Sequence, residues 1–312
     1  MADIADLGGS RGRLYGLHSA RMSASGWRIV QITTVPPVAQ ALAETLRGLG
    51  HVPVAVLTAR RPVPLEGMLN MTDGSAPPGL DVVLLASKHG IEPLLRAYRP
   101  DLVICWGFPW KIPMSALEVP RLGSINCHPA LLPRHRGPVP LAWAFRDGDG
   151  QFGVTWHRMD AELDTGPILA QATVPMEDDD FDMMVVGPRM GQVALGLLPG
   201  VLERVAAGDP GDPQPGDGGT WAGHFGDDYA AVDWSQPARR IHDQVRAWQF
   251  TFGLSPVSGP VADLDGEPVR LTRTSLVDPG GKARRVDAGD GPIWIVSWEP
   301  VRAQEGEPAA SA

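Results

Sequence analysis

Asn126 and His128 stand two positions apart at the end of the apolar run Ser124–His128, just ahead of Pro129. On an extended strand their side chains leave the same face, while Cys127 leaves the opposite one. Cys127 and His128 therefore make a poor nucleophile–base pair. An amide and an imidazole side by side can instead hydrogen-bond an oxyanion and pass a proton, and a nearby carboxylate can hold the imidazole in the protonation state it needs. Asp160, Glu162 and Asp164 supply local carboxylates. Asp164 precedes Thr165–Gly166, a tight turn able to aim one carboxylate back across a crevice.

Other signals are weaker. Gly8–Gly12 holds glycines but follows no strand, so it does not read as a phosphate loop. His128, His135 and His157 lack a compact ligand spacing, and no metal is expected. The acids Glu177–Asp180 read as the start of a helix, where they complement the positive dipole end. Trp143 and Trp248 read as packing anchors. Cys105 and Cys127 lie in apolar runs and read as buried thiols rather than a disulfide.

The elements around the polar residues follow a clear rhythm. Arg28–Thr33, Val52–Thr58, Val82–Leu85 and Leu102–Trp106 read as buried parallel strands, with amphipathic helices near Val38–Leu49 and Ile91–Tyr98 between them. Gly123–Cys127, Gly153–Met159 and Ile168–Val174 add strands. A long helical stretch then runs from about Asp180 to Ala207, where Pro188 and Pro199 are expected to kink or divide it. The fold class is α/β, a Rossmann-like, mostly parallel sheet. In such a sheet Pro129 places Asn126 and His128 at the carboxyl end of a strand, where ligands bind.

The segment Gly208–Thr220 is dense in Gly, Pro and Asp and reads as a linker. Beyond it come a helix at Pro237–Trp248 and short strands with turns at Asp265–Gly266 and Gly280–Gly281, as in a small β-barrel. The expected organisation is a flexible extension over 1–25, with Met22 an alternative start, a catalytic domain over 26–207, a linker over 208–220, a smaller OB-like domain over 221–306, and a flexible tail over 307–312.

With 312 residues and 43% hydrophobic residues, the chain has enough material for two cores. No uninterrupted apolar run reaches the roughly 18 residues of a membrane span, and the N-terminus lacks a secretory pattern. A cytoplasmic protein without a membrane partner is the expectation. The net charge of −9 argues against a surface built to grip phosphate backbones. Arg239–Arg240 reads as an exposed helix face. Nothing in the pattern sets the number of copies.

The run Asn126-Cys-His128-Pro-Ala-Leu-Leu-Pro133, followed by Arg136–Gly137 and by Asp160-Ala-Glu-Leu-Asp164-Thr-Gly166-Pro-Ile168, resembles the signature of the 10-formyltetrahydrofolate-dependent formyltransferases. That family includes enzymes acting on methionyl-tRNA, glycinamide ribonucleotide and sugars. The resemblance extends to PDLVICWG, to VDWSQPARRIHDQVRA and to DLDGEPVRL, and it covers about residues 27 to 305. It implies a two-domain enzyme with Asn126, His128 and Asp164 as the catalytic set. It also implies a donor, 10-formyltetrahydrofolate, released as tetrahydrofolate. The pterin end would enter between the strand ending near Trp106 and the loop Met159–Asp164, with Phe108, Ile112, Met159, Glu162 and Leu163 as contacts.

Two segments depart from the methionyl-tRNA type: Ile32–Pro37 after the first strand, and Arg60–Gly79, in which only the two leading arginines are basic. With the acidic balance, these favour a small-molecule amine as acceptor, with tRNA disfavoured. Methionyl-tRNA formyl transfer, hydrolysis of the same folate, and a non-catalytic folate- or carrier-binding role are the alternatives.

Overall fold

The computed structural model describes residues 26–59 and 77–301. The expectations on residues 1–25 (Met22 and Gly8–Gly12 included), on most of Arg60–Gly79 and on the tail lie outside the described residues.

Apolar strand runs alternate with amphipathic helices to give β1 (Arg28–Ile32), α1 (Pro36–Gly48), β2 (Val52–Ala59), β3 (Asp81–Leu85), α2 (Ile91–Tyr98), β4 (Leu102–Trp106), α3 (Met114–Leu117) and β5 (Ser124–His128). These are followed by α4 (Pro140–Arg146), β6 (Gln151–Arg158), β7 (Ile168–Pro175) and α5 (Met183–Ala206). The seven strands form one sheet in the order β3-β2-β1-β4-β5-β6-β7. The first five run parallel, whereas β6 and β7 are antiparallel to their neighbours. This is the mostly parallel α/β architecture that the sequence predicts. Every residue of β4 is buried, as a central parallel strand covered on both faces requires.

Each face of the sheet carries a core. Ile29, Ile104, Ile125 and Trp156 pack with Leu42 of α1 and Leu198 and Val201 of α5. On the other face Val30, Val103 and Cys105 pack with Ile91 and Leu95 of α2 and Ala116 and Leu117 of α3. Cys105 is the register partner of Asn126, so Asn126 and His128 rise from the α2–α3 side. The order of strands reverses at β1, which lies between β2 and β4. The loops after β1 and β4 flank that switch point, and Thr34 ties them by donating its backbone N–H and its hydroxyl to Gly107 O at 3.1 and 3.0 Å.

Helix α5 corrects two expectations. Pro188 and Pro199 do not divide it, and it runs as one helix from Met183 to Ala206. Its stripe of Val186, Met190, Ala194, Leu198, Val201 and Val205 is buried, and that packing offsets the backbone bonds the prolines forgo. It begins at Met183 rather than near Asp180. Asp182 is the N-cap, accepting from Met184 N–H at 2.8 Å. Asp180 is buried, accepts from Glu177 N–H at 2.8 Å and pairs with Arg189 at 2.5 Å. By length and hydropathy alone α5 is sufficient to cross a membrane. Here its buried stripe lies along β6 and β7.

Past the segment 208–220 come α6 (Ala238–Gln249) and the strands β8 (Val261–Leu264), β9 (Glu267–Ser275), β10 (Arg284–Ala288) and β11 (Gly291–Pro300). The strands form a curled antiparallel sheet in the order β10-β11-β9-β8, a half-barrel rather than a closed one. Asp265 and Gly266 both have positive φ, 60° and 86°, which matches the twist of the β8–β9 hairpin. Ile241 and Val245 of α6 pack beneath this sheet against Ile293, Leu271 and Ile295. On its other side α6 meets α4, where Arg240 donates to Arg146 O and Phe145 stacks on Phe250 at 4.7 Å.

Candidate active site

Asn126 and His128 do share a face of β5, and Asp164 reaches them from a direction the sequence does not reveal. Because β6 is antiparallel to β5, Arg158 lies opposite Ile125 and Met159 N–H donates to Ser124 O. The loop 159–167 thus leaves beside the amino end of β5 and folds back along the sheet face. Asp164, at φ 60°, turns its carboxylate inward. Asp160 holds the loop by accepting from Glu162 N–H at 3.2 Å and Thr165 Oγ1 at 2.7 Å. A Cβ at Gly166 would lie 1.9 Å from Arg158 O, so only glycine lets the loop close against β6.

One oxygen of Asp164 is the meeting point. Oδ1 accepts from Asn126 Nδ2 at 3.3 Å and lies 3.5 Å from both His128 Nδ1 and His157 Nε2. Oδ2 accepts from Gly137 N–H at 3.0 Å. The other imidazole nitrogens face carbonyls, which only accept. His128 Nε2–H therefore donates to His135 O at 2.8 Å, and His157 Nδ1–H donates to Arg158 O at 2.7 Å. In a neutral His157 the Nε2 lone pair is left to accept from Asn126 Nδ2 at 3.1 Å. His128 presents its Nδ1 lone pair toward Asp164.

The electrostatics suit a base waiting for a proton. Burial pushes the His128 pKa below the ordinary value, against the opposing pull of Asp164, so the ring rests neutral. At Asp164 burial also disfavours charge, but at the low pH where it titrates the protonated His128 and His157 and the Gly137 N–H outweigh it and hold the carboxyl at about 2. Asp164 is thus an anion beside a neutral imidazole, arranged to stabilise the imidazolium once a proton arrives. Cys105 and Cys127 are free buried thiols, both pushed up by burial.

The five residues expected to touch a folate divide into two groups. Ile112 is buried, while Phe108 and Met159 are half-buried against the same core, with Phe108 set edge-on to Trp110 at 5.4 Å. Glu162 is exposed and pairs with Lys111 at 3.0 Å, and Leu163 is 38% exposed. Phe108 and Ile112 border the end of β4, and Met159 begins the loop after β6. Glu162 and Leu163 stand on the loop facing it.

The sequence pattern does not mark His157 as part of the site. The alternation in Val154-Thr155-Trp156-His157 marks Thr155 and His157 as one polar face, but the antiparallel register that sets His157 opposite Asn126 has no sequence mark. Nor does the pattern mark His135. It sits at φ 56°, offers its carbonyl to His128, and is locked by Asp149 at its Nε2, 2.8 Å away, and by Thr220 Oγ1 at its N–H, 2.8 Å away.

Comparison with known proteins identifies the family and the fold. A sequence model described as formyl transferase matches residues 80–190. The chain is 34% identical over 271 residues to a methionyl-tRNA formyltransferase of Trichlorobacter lovleyi, covering 82% of this chain and 81% of that one. Among solved structures, HypX from Aquifex aeolicus in complex with tetrahydrofolic acid superposes with a TM-score of 0.64 at 21% identity, over 89% of this chain and 45% of that one. WlaRD, a sugar 3N-formyl transferase crystallised in the presence of dTDP and 5-N-formyl-THF, gives 0.59 at 13% identity, over 90% and 100% of the two chains.

Proposed function

Because the chain belongs to the formyl transferase family, as its 34% identity over 81% of a methionyl-tRNA formyltransferase shows, we propose that it moves the formyl group of 10-formyltetrahydrofolate to an amine, with Asn126, His128 and Asp164 as catalytic residues. The observation that carries the residue assignment is the convergence of Asn126 and His128 on Asp164 Oδ1 within 3.5 Å.

The amine nitrogen attacks the formyl carbon to give a tetrahedral oxyanion. Asn126 supplies an N–H to it by releasing the longer of its two bonds, the one to Asp164. Neutral His128 takes the excess proton of the amine at Nδ1, where Asp164 stabilises the imidazolium. Collapse breaks the bond from the formyl carbon to N10, and the proton goes to that nitrogen. The products are the formamide and tetrahydrofolate. The folate's pterin lies between the end of β4, at Phe108 and Ile112, and the loop carrying Met159, Glu162 and Leu163. A cytoplasmic site of action belongs to the same reading.

Methionyl-tRNA is the acceptor that the relatives support, since the match covers more of the chain than the catalytic sheet and its helices occupy. A small amine remains the second reading, favoured by charge. On the half-barrel Arg270 pairs with Glu299, Arg284 with Asp265 and Arg285 with Asp287, while Arg273 lies over the Phe181 ring. The three arginines paired with carboxylates add little to a grip on phosphates.

The test is to supply 10-formyltetrahydrofolate with methionyl-tRNA and, separately, with a panel of amino sugars and amino acids, and to follow tetrahydrofolate release and acceptor mass. N-formylmethionyl-tRNA as the preferred product supports the first reading, and a formylated small amine alone the second. Formate release unaffected by any amine would overturn both.

A further inference from the structure

The segment 208–220, whose composition reads as a passive linker, is fastened to the candidate active site. Gln214 Nε2 donates to Asp164 O and to Gly166 O, both at 2.8 Å. Gln214 Oε1 accepts from Arg136 Nε at 3.0 Å and Nη2 at 2.6 Å. Two carbonyls can only accept and a guanidinium can only donate, so the amide has one orientation here and all four of its hydrogen-bonding positions are used. The next residue after Arg136 is Gly137, whose N–H holds the Asp164 carboxylate. One side of the crevice thus grips Asp164 twice, by its side chain through Gly137 and by its main chain through Arg136 and Gln214.

Such a grip has work to do. Asp164 lies in the left-handed region at φ 60°, a conformation that is strained for a non-glycine residue and persists when its surroundings fix it. The strap itself is anchored at both ends. Ile168 and Asp212 exchange backbone hydrogen bonds at 2.7 and 2.8 Å, and Thr220 and Ala222 pair with Pro133 and Arg136. Arg204 adds bonds to Asp209 at 2.6 Å and to Asp212 at 3.0 Å.

We propose that Gln214 is a positioning residue for the formyl-transfer reaction: held by Arg136, it fixes the backbone of Asp164 so that Oδ1 faces both Asn126 and His128. This rests on the reading of Asp164 as catalytic. Gln214 touches none of the reacting atoms.

The experiment compares full-length wild type, Gln214→Ala, Gln214→Glu, Asp164→Asn and the double variant Gln214→Ala/Asp164→Asn. Turnover with 10-formyltetrahydrofolate is measured along with the His128 titration by NMR and the melting temperature. A displacement of about an ångström in a catalytic group costs on the order of a hundredfold, so Gln214→Ala is expected to lower kcat by about 10- to 100-fold with KM for the folate little changed. Gln214→Glu keeps the Arg136 contacts but lacks both donors, and should lose as much. In the Asp164→Asn background the added loss should shrink to about twofold or less, because the two residues act as one unit. His128, deprived of a well-placed carboxylate, should titrate lower in Gln214→Ala, and likewise in Asp164→Asn.

Full activity in Gln214→Glu, an undiminished loss in the double variant, or an unmoved His128 titration would overturn the proposal. Unchanged turnover in Asp164→Asn would sink the catalytic reading instead, and the His128 titration in Gln214→Ala would still decide whether Gln214 positions Asp164.

Discussion

Asn126 and His157 oppose each other directly across the β5–β6 ladder and are joined side chain to side chain at 3.1 Å. Since His157 Nδ1–H is committed to Arg158 O, its Nε2 accepts, and this fixes which end of the Asn126 amide faces Asp164. Without that acceptor the amide is free to rotate. His157→Leu should therefore lower kcat by about tenfold, the worth of one hydrogen bond, in a steady-state assay of tetrahydrofolate release.

Asn126 itself is asked for more. Losing an oxyanion donor costs roughly a hundred- to a thousandfold and losing a general base about a hundred- to ten-thousandfold, so Asn126→Ala and His128→Ala should each nearly silence turnover while circular dichroism stays that of wild type. Activity within about tenfold of wild type in either would rule out its catalytic role.

The pH profile follows from the neutral resting state of His128. Its pKa is lowered by burial, so the acid limb of kcat should lie below the ordinary histidine value of about 6.5. Asp164 pulls that pKa upward, and Asp164→Asn removes the pull. The acid limb should then move to lower pH, on a plateau reduced by the loss of imidazolium stabilisation. An acid limb that rises in Asp164→Asn would reverse the assigned roles.

Gly166→Ala probes the loop rather than the chemistry. The added methyl would stand 1.9 Å from Arg158 O, a backbone atom with no freedom to withdraw, so the turn bearing Asp164 must shift. Turnover should fall by about a hundredfold or more, with a melting temperature only a few degrees lower, because the loop is exposed on one side and the cores are untouched.

His242 offers a stability test away from the site. It is buried beside the half-barrel, bonded to Thr274 Oγ1 and to Asp178 O at 2.9 Å each, and burial is the main cause that lowers its pKa to about 4. The folded state therefore resists a proton that the unfolded chain accepts near pH 6.5. Stability is full above that pH and is lost as pH falls toward 4, by about 3 kcal/mol. Urea unfolding at stepped pH should show this slope flattened in His242→Gln.

Much of the catalytic half was legible because its code is local. The runs of β1, β2 and β4 are apolar enough to be buried on both faces, and α2 spans the same residues, Ile91–Tyr98, in sequence and structure, whereas Val82–Leu85, also read as buried, forms the sheet's edge and leaves Leu84 45% exposed. The half-barrel was less legible, since its short, half-polar strands carry weak periodicity and nothing in them tells an open sheet of four from a closed barrel. The undivided α5 was misjudged for a similar reason. Proline's local cost is visible in sequence, whereas the packing that overrides it is not.

The sequence by itself determined that Asn126 and His128 share a face, because side-chain direction alternates along any strand, and that Asp164 stands at a turn, because Thr165–Gly166 follows it. Only the tertiary structure decided that three nitrogen-bearing side chains converge on a single carboxylate oxygen, that His157 completes them, and that Gln214 reaches back fifty residues to hold the Asp164 backbone. These are relations of register and of returning chain. They depend on which strand lies beside which and in what direction, and the free energy that selects that arrangement comes from the two cores on either face of the sheet, not from the polar residues it brings together.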